Sequence, residues 1–331
     1  MKKIALLFLV HKSPEQFAHL LRRLDDRRFD FYIHVDAKSD INQFLPVERQ
    51  IKTSNVHWIR NRVKTYFNDF SLVEATCNAM KAAYSEGDYL YYILLTGQDY
   101  PIKSNNQIYK KLYASYPTAY IDMYGVDDAF LYGVNWVKNI GYSYFSQSLR
   151  KKLQRSLGHK FYYSSYGRIV KVLPKIYDFL MTRLSYSPRK RIKTTEYTYS
   201  AGSHFWMLPD VAVRHIINVF EHDTDINVVF QHIAAPEESY FQTVLSSMDK
   251  LEYPDNMLTQ FEDANKEMDN PALRLIKWYE NGKHTNGHPA IWNVNDAPII
   301  DKAKALFARK FDISIDSKII EYLDKDERTN C

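Results

Sequence analysis

The sequence predicts an α/β fold in which a mostly parallel central sheet is flanked by helices. Residues 4–10 form a continuous apolar run, as expected for a parallel strand that is covered on both faces. Residues 13–15, Ser-Pro-Glu, follow at once and are typical of a helix start. A second apolar run at residues 31–35 ends at Asp36. The chain is therefore expected to open with a strand, a helix and a second strand parallel to the first.

The alternation of strands and helices continues along the chain. In order, we predict strands at 56–59, 89–95 and 119–123, helices at 70–84 and 105–116, a strand at 199–208, helices at 209–221 and 236–247, a strand at 273–278 and two terminal helices. We expect a single domain over residues 1–331. Its parts are a βαβ half at 1–125, a basic helical insertion at 145–197 and a second half at 198–331.

The composition argues against several classes of protein. Two cysteines, Cys77 and Cys331, cannot form a disulfide framework. Ten glycines and no Gly-x-Gly-x-x-Gly motif argue against a dinucleotide fold or a P-loop. No apolar stretch approaches the roughly 20 residues that cross a bilayer, and the run at residues 4–10 lacks the cleavage site of a signal peptide. We therefore expect a cytoplasmic protein, and no nucleic-acid partner, because no base-reading module is visible.

Two pairs of residues are of the types that bind metals. Asp127 and Asp128 are adjacent acids in a polar loop, with no third ligand nearby. His284 and His288 are four residues apart, but they lie in a loop that contains glycine and proline. A metal site needs more ligands than either pair offers. We expect neither a metal nor a cofactor.

Glu237 and Glu238 are the candidate acid–base residues. They follow Pro236, and a proline at the first helical position puts both acids in the first turn, where the helix dipole favours the ionised form by roughly 0.3–1 kcal/mol. An ionised carboxylate can accept a proton from a substrate. Acids in first turns are also ordinary complements to the dipole, so this fragment alone leaves both interpretations open.

Two other places carry polar residues that can bind a ligand. Asp36 and the loop 97–101 follow predicted strands, and open α/β sheets bind ligands at the carboxyl ends of their strands. Asp36 either bonds a ribose or base edge or serves as a turn residue. Lys310 stands beside Arg309 near a predicted helix end. Lys310 either complements that helix end or neutralises a leaving phosphate.

A basic, aromatic segment spans residues 150–193. It holds thirteen Lys and Arg residues and one acid, Asp178, so it carries +12 in a chain whose total is +5. A helix is predicted at 169–184, with Tyr and Phe interleaved among the basic residues. The segment is either a solvated helix face or a surface that attracts anionic lipid at roughly 1 kcal/mol per basic residue. Salt-sensitive binding to anionic liposomes would favour the second interpretation.

Six short motifs follow one another along the chain. They are Ile33-His34-Val35-Asp36, Leu95-Thr96-Gly97-Gln98-Asp99-Tyr100-Pro101-Ile102, Gly202-Ser203-His204-Phe205-Trp206, Pro236-Glu237-Glu238-Ser239-Tyr240, Ile276-Lys277-Trp278 and Leu306-Phe307-Ala308-Arg309-Lys310-Phe311-Asp312. In this order they resemble glycosyltransferase family 14. That family holds the core-2/I-branching β-1,6-N-acetylglucosaminyltransferases and the peptide O-xylosyltransferases. The resemblance covers most of the chain.

The resemblance implies a GT-A-like fold that uses a UDP-sugar without a divalent metal and inverts the anomeric centre. It implies a nucleotide-binding role for residues 1–125 and an acceptor and catalytic role for 198–331. By position, Glu238 matches the catalytic base, Val10 and Asp36 match uridine contacts, Lys310 matches a diphosphate ligand and Trp278 matches an acceptor-binding tryptophan. We add Arg309 to the diphosphate site, and Asp99, Ser203 and Glu237 to the acceptor and donor pocket.

The chain departs from the family at two positions. The family commonly pairs the lysine with an arginine two residues after a histidine, and Ala290 stands there, after His288. Arg309, His288 or a base from residues 150–193 then replaces that arginine, or diphosphate binding is weaker. A family tyrosine two residues after the tryptophan is Glu280 here, so we expect a different acceptor.

We therefore expect a metal-independent, inverting transferase, most simply of GlcNAc, from a UDP-sugar to a hydroxyl of a glycan. A bacterial enzyme of this kind would extend a lipid-linked glycan in cell-surface polysaccharide synthesis, at the inner face of the membrane. Transfer of xylose or another sugar is one alternative. A non-catalytic module that binds a sugar nucleotide or glycan at the membrane is another.

Overall fold

The computed structural model describes residues 2–125, 197–231, 233, 235–254, 271–280, 283–285 and 289–325, with isolated positions between 153 and 180. Apart from those positions, the basic segment 150–193 and its helix at 169–184 lie outside the described residues, as do Asp127, Asp128 and His288. What the sequence predicts for them stays a prediction.

The described residues form thirteen strands and eight helices. The strands are β1 (Lys3–Val10), β2 (Phe29–Val35), β3 (Asn55–Trp58), β4 (Tyr89–Thr96), β5 (Asp99–Pro101), β6 (Tyr120–Ile121), β7 (Tyr124–Gly125), β8 (Ser200–Ala201), β9 (Trp206–Pro209), β10 (Arg274–Ile276), β11 (Tyr279–Glu280), β12 (Lys283–His284) and β13 (Phe307–Arg309). The helices are α1 (Pro14–Leu24), α2 (Ser71–Glu86), α3 (Asn105–Ser115), α4 (Asp210–His222), α5 (Thr224–Phe230), α6 (Tyr240–Leu245), α7 (Ala297–Lys302) and α8 (Lys318–Lys325). None of these helices is long and apolar enough to span a bilayer.

Six strands form the central sheet, in the order β3-β2-β1-β4-β9-β6. β1 is parallel to β2 and β4, and β2 to β3, whereas β9 is antiparallel to both β4 and β6. Helix α1 connects β1 to β2 and α2 lies between β3 and β4, as parallel pairing requires. The predicted α/β fold with a mostly parallel central sheet flanked by helices is confirmed.

Strand β1 explains why both faces of the sheet are covered. Side chains alternate between the faces of a strand. Leu6 and Phe8 accordingly belong to one hydrophobic core, which includes residues of α1 and α3, and Ala5 and Leu7 to another, which includes residues of α2 and α4. Every residue from 4 to 10 is at most 8% exposed. The unbroken apolar run is thus the signature of two cores that share one strand.

A second sheet of three strands, in the order β10-β13-β5, is attached to the first. Only two residues separate β4 from β5, so this sheet starts at the carboxyl end of β4. β13 is parallel to β10 and antiparallel to β5, and Arg309 therefore lies between Ile276 and Asp99. The pairing brings the last third of the chain to the edge where parallel sheets bind their ligands.

The helix predicted at 236–247 is interrupted. Its first residues form a 3-10 turn, Pro236–Glu238, and α6 begins only after Ser239, whose φ of −149° is not helical. The carbonyl oxygen of Glu238 accepts the N–H of Gly202 at 2.8 Å instead of continuing the helix. A contact from a distant part of the chain has replaced a local one.

Two other predicted elements also differ. The strand expected at 199–208 is divided into β8 and β9 on either side of residues 202–205. Lys310, which was expected near a helix end, follows strand β13 instead, so its complementarity to a helix dipole is ruled out.

Gly202 is where two segments of the site cross at close range. A Cβ atom at this position would lie 1.9 Å from the carbonyl oxygen of Asp122 and 2.6 Å from its carbonyl carbon. Both are backbone atoms, which cannot move aside as the end of a side chain can. Only glycine therefore lets the chain pass Asp122 and reach Glu238.

We predict that Gly202→Ala lowers the free energy of unfolding by about 1–3 kcal/mol or more, because overpacked sites shift the backbone. Thermal and denaturant unfolding measure the change. Gly97→Ala is the matched control, since a Cβ there meets its nearest neighbour, Val10 Cγ1, at an ordinary 3.5 Å. Equal stability of the two variants would contradict the prediction.

Candidate active site

The carboxyl ends of β1, β2 and β4 meet at one edge of the central sheet. Val10 ends β1 and Asp36 follows β2, and the N–H of Asp36 donates to the carbonyl oxygen of Val10 at 2.8 Å. Thr96 ends β4 and pairs with Leu9 of β1. The structure thus brings the predicted residues Val10 and Asp36 close to the loop 97–101.

Asp36 is held by the segment that follows β3. Its Oδ1 accepts the N–H of Lys38 at 2.7 Å, while Oδ2 accepts the hydroxyl of Thr65 and lies 3.4 Å from Lys38 Nζ. Asp36 is only 4% exposed and Val10 only 2%. A carboxylate oxygen can accept two hydrogen bonds, and Oδ1 makes one of them here. The uridine contacts of both residues stay predictions.

Arg62 fixes the chain after β2 and was missed at the level of sequence. Its guanidinium donates to the carbonyl oxygens of Val35, Asp36 and Ser39 at 2.9, 2.9 and 2.6 Å. The planar fork of an arginine suits several acceptors at once. The loop that carries Asp36 is therefore organised without a ligand.

Asp99 is buried below the surface of this edge of the sheet. It is completely buried, its Oδ1 lies 3.1 Å from Nη1 of the equally buried Arg274, and its Oδ2 accepts the N–H and hydroxyl of Thr96 at 2.6 and 2.7 Å. The expectation that Asp99 belongs to the acceptor and donor pocket stays a prediction. Its carboxylate faces the protein's own donors.

Arg309 and Lys310 place two cations at the same edge. Arg309 Nη1 lies 2.6 Å from the hydroxyl of Thr96 and 3.5 Å from Asp99 Oδ2, and its side chain is 18% exposed. Lys310 is half-buried, and burial, followed by the charges of Arg309 and Lys12, lowers the pKa of its ammonium group. Positive charge is concentrated here.

The turn that holds Glu238 is tied to residues 202–203 by hydrogen bonds. Gly202 donates to the carbonyl of Glu238, and the amide of Gln242 donates to the carbonyl of Ser203 at 2.8 Å. The buried carboxylate of Asp122 accepts backbone N–H groups of Ser203 and Ala272, while burial raises its pKa to about 7. Glu238 and Ser203 themselves are partly exposed. The predicted base and a predicted pocket residue are thus neighbours.

Burial, not a helix dipole, governs the charge of Glu238. Burial raises the pKa of its carboxyl to about 7, whereas the sequence argument expected stabilisation of the ionised form. The helix start is a single 3-10 turn, so the dipole of a long helix is absent from this turn. A carboxyl with a pKa near neutrality suits proton transfer, because it is both available as a base and basic enough to take the proton.

Glu237 points away from solvent. It is 5% exposed and accepts the backbone N–H of Asn68, and among the described residues its Oε2 has no hydrogen-bond partner. Burial, and then the neighbouring charge of Glu238, raises the pKa of Glu237 well above its usual range. Glu237 is therefore a buried carboxyl next to Glu238, and its predicted place in the acceptor and donor pocket stays a prediction.

One short segment connects the candidate base to the candidate cations. Gly202 at its start bonds Glu238, and the ring of Phe205 at its end lies 4.6 Å from the Arg309 guanidinium carbon. Three residue steps span at most roughly 11 Å when fully extended. The turn that carries Glu238 and the guanidinium of Arg309 thus contact opposite ends of one four-residue segment.

Trp278 stands at the rim of this edge. It is 38% exposed, and its carbonyl accepts the N–H of Thr285 at 2.9 Å, closing the hairpin of β11 and β12. Ala290 is 7% exposed and donates its N–H to the carbonyl of Lys277. The position at which the resemblance implies an arginine is therefore a packed position beside the chain of Trp278.

Two buried charged residues escaped the sequence analysis. Arg274 is the one charged residue among the apolar residues 271–276, and a fully buried arginine requires an acid partner. The sequence therefore indicates that Arg274 has an acidic partner, although it does not identify that partner as Asp99. Asp122 lies within the strand predicted at 119–123, and its role follows only from its contacts with Ser203 and Ala272.

Metal ligands are not grouped in the part of the chain that the structure describes. There, no group of three or more His, Cys, Asp or Glu side chains could hold a metal ion. Asp127, Asp128 and His288 lie outside the described residues. Metal independence therefore stays a prediction.

We predict that Glu237→Gln stabilises the protein in alkaline rather than acidic solution. The raised pKa means that the native carboxyl keeps its proton at pH values where the unfolded one has lost it, so stability falls as pH rises above about 4.5. The variant removes this penalty, at roughly 1.4 kcal/mol per pKa unit. Melting temperatures at pH 5 and pH 8 measure it, and a stabilisation equal at both would contradict it.

Several known transferases are similar in sequence to this chain. A probable β-1,3-galactosyl-O-glycosyl-glycoprotein β-1,6-N-acetylglucosaminyltransferase 7 of Homo sapiens is 24% identical over 98% of this chain and 68% of its own length. A human β-1,3-galactosyl-O-glycosyl-glycoprotein β-1,6-N-acetylglucosaminyltransferase is 34% identical over 33% of the chain and 26% of its own. Human xylosyltransferase 1 is 28% identical over 38% and 14%.

A family model also matches most of the chain. The family model described as Core-2/I-Branching enzyme matches residues 4–300. That range begins within β1, takes in the whole central sheet with β5 and β10 of the second sheet, and ends within α7. It includes Asp36, Glu238 and Trp278, whereas β13 lies beyond it. The chain therefore belongs to the Core-2/I-branching family of glycosyltransferases.

Proposed function

We propose that this chain is an inverting glycosyltransferase that moves a sugar, most simply GlcNAc, from a UDP-sugar to a hydroxyl of a glycan. Membership of the family supports the class of reaction. Two of the relatives carry N-acetylglucosaminyltransferase in their names, which supports the choice of sugar. A xylosyltransferase among the relatives makes UDP-xylose the alternative donor.

The observation that carries this proposal is that residues 202–205 connect the turn of a carboxylic acid, Glu238, to a cation, Arg309. Glu238, with a pKa near neutrality, is bonded at one end, and the cations Arg309 and Lys310 lie at the other. Transfer with inversion needs a base on one side of the anomeric carbon and a stabilised leaving group on the other. The contacts of residues 202–205 with the turn of Glu238 and with Arg309 support this arrangement.

In the proposed step, Glu238 takes the proton of the acceptor hydroxyl while the oxygen attacks the anomeric carbon. The bond from that carbon to the diphosphate oxygen breaks on the opposite face, and UDP leaves with the electron pair. The new glycosidic bond has inverted configuration. The proton remains on Glu238 until it is exchanged with solvent.

Lys310, with a second cation, stabilises the negative charge that develops on the leaving diphosphate. Fixed cations are an alternative to a divalent metal in this role, because they need no reorganisation at the moment of reaction. Lys310 is half-buried and close to Arg309 and Lys12, where desolvation strengthens its field. We therefore propose a metal-independent enzyme.

We also propose that the central sheet is the GT-A-like sheet expected for the family. Its four parallel strands in the order β3-β2-β1-β4 and the antiparallel β9 support this assignment. In it, the edge at Val10 and Asp36 receives the nucleotide, and Trp278 at the rim receives the acceptor.

A panel of UDP-sugars with EDTA present tests the proposed reaction. We expect the wild type to hydrolyse or transfer one donor, and Glu238→Gln to lose at least about 100-fold in rate, as expected for general-base catalysis, while it still binds UDP. The control is Glu321→Gln, the same change at an exposed site in α8. Normal turnover of Glu238→Gln would refute the base, and binding without turnover in the wild type would favour a non-catalytic module.

The pH dependence tests the same residue independently. Glu238 must be ionised, so we expect kcat/KM to fall about tenfold per pH unit below its pKa of about 7. With a base of ordinary glutamate pKa, kcat/KM would stay unchanged down to about pH 4.5. Asp122→Asn serves as the control, because Asp122 has a similar pKa. If the acidic limb disappeared in that variant, Asp122 would be the titrating group.

A further inference from the structure

Three apolar side chains in the basic segment 150–193 are exposed at a helical spacing. Val172, Ile176 and Leu180 are each in α-helical conformation, and they are 48%, 49% and 54% exposed. Side chains four positions apart in a helix lie one above another on the same face. These three residues, which we call the apolar stripe, therefore belong to one face of the helix predicted at 169–184.

The sequence around the apolar stripe separates apolar from polar residues. A helix turns about 100° per residue, so a helix over 169–184 would collect along one arc of about 140° the apolar and aromatic residues Ile169, Val172, Leu173, Ile176, Tyr177, Leu180 and Leu184. A separate arc of about 60° would hold Lys171, Lys175, Asp178 and Thr182. Such a division is typical of an amphipathic helix.

The exposure of the apolar stripe argues against a simple solvated helix face. An amphipathic helix on a globular protein turns its apolar face to the core and its polar face to water. Val172, Ile176 and Leu180 instead carry about half of their surface into solvent. Neighbouring apolar side chains that are exposed and rimmed by charges mark a site of interaction. The stripe is therefore expected to have a partner.

The charge of the basic segment selects among the possible partners. The segment carries +12, and the rest of the chain carries −7, the difference from the total of +5. A second copy of the chain could cover the apolar stripe, but it would bring a second segment of +12 against the first, and like charges repel. A nucleic acid would neutralise the charge through its phosphates but offers no apolar interior to the stripe. An anionic lipid surface provides both, because its headgroups attract Lys and Arg while its acyl chains receive apolar side chains.

We propose that the helix at 169–184 lies in the surface of an anionic bilayer, with the apolar stripe among the acyl chains and Lys171 and Lys175 among the headgroups. A helix with one apolar and one charged face lies in the plane of the membrane surface. The inference goes beyond the proposed function, since it concerns the surface on which the protein works and not the reaction. Acceptors that are anchored in the same bilayer would be concentrated there.

The experiment measures the partition of the full chain onto vesicles by sedimentation. The vesicles contain phosphatidylglycerol and phosphatidylcholine in equal parts, or phosphatidylcholine alone, each at low and at high salt. We expect the wild type to bind the anionic vesicles at least about tenfold more tightly at low salt, and high salt to remove most of the difference, since ions screen exposed charges. Equal binding to both kinds of vesicle would overturn the proposed role of charge.

A triple variant tests insertion of the apolar stripe without a change of charge. It combines Val172→Ser, Ile176→Ser and Leu180→Ser. We expect it to bind anionic vesicles at least about tenfold more weakly at either salt concentration, because the contribution of apolar burial is lost.

The matched control makes the same three substitutions at exposed apolar positions outside the segment. It combines Leu45→Ser, Val228→Ser and Ile315→Ser, at residues that are 38%, 42% and 68% exposed. We expect its partition to equal that of the wild type. Equal melting temperatures of the two triple variants would exclude unfolding as the cause of a difference, and equal losses of partition in both would show that the apolar stripe has no special role.

A double variant tests the headgroup contacts. It combines Lys171→Gln and Lys175→Gln, and we expect a loss of roughly fivefold per residue at low salt and little loss at high salt. The control combines Lys110→Gln and Lys318→Gln, which are also exposed and should leave the partition unchanged. A loss of the same size in the control would mean that total charge, and not this helix, attracts the lipid.

Sedimentation velocity without vesicles separates a bilayer from a second copy of the chain. If the wild type is an oligomer, the stripe variant is a monomer and their partition onto vesicles is equal, the stripe is an interface between copies and the inference is wrong. The proposed function is tested separately: we expect the stripe variant to turn over a water-soluble donor and acceptor at the wild-type rate.

Discussion

The buried pair of Asp99 and Arg274 is the interaction on which the site depends. Asp99 begins β5, Arg274 begins β10, and both are within reach of the end of β4 through Thr96 and Leu94. The pair therefore joins the central sheet to the second sheet. Loss of one partner from such a pair costs about 3–5 kcal/mol, because the other charge remains buried. Few single contacts in the described residues connect so many segments that approach the site.

Local patterns in the sequence were sufficient for the framework of the fold. The apolar run of β1 and the Ser-Pro-Glu sequence before α1 depend on neighbouring residues alone, and the structure has a strand and a helix at these places. The partnership of Asp99 with Arg274 could not be predicted in this way, since 175 residues separate the two. The same limit explains the interrupted helix at Glu238, whose carbonyl is bonded by Gly202.

The site illustrates a second limit, which concerns electrostatics. Sequence placed Glu238 and Lys310 near helix ends and assigned their charge preferences from dipoles. In the structure, the environment of each is set by burial and by other side chains, which shift the pKa of Glu238 upwards and that of Lys310 downwards. Desolvation depends on what covers a group in three dimensions, and a linear sequence carries that information only through the fold.

Residues 202–205 connect the turn of the proposed base to the proposed cation site. Their first residue bonds the turn of Glu238 and their last packs against Arg309, so a displacement at one end is transmitted to the other through three backbone steps. A nucleotide that orders Arg309 would then also order the base that meets the incoming hydroxyl. Thermodynamic linkage makes such an effect reciprocal: whatever factor donor contributes to acceptor affinity, acceptor returns to donor. Each substrate would then bind more tightly in the presence of the other.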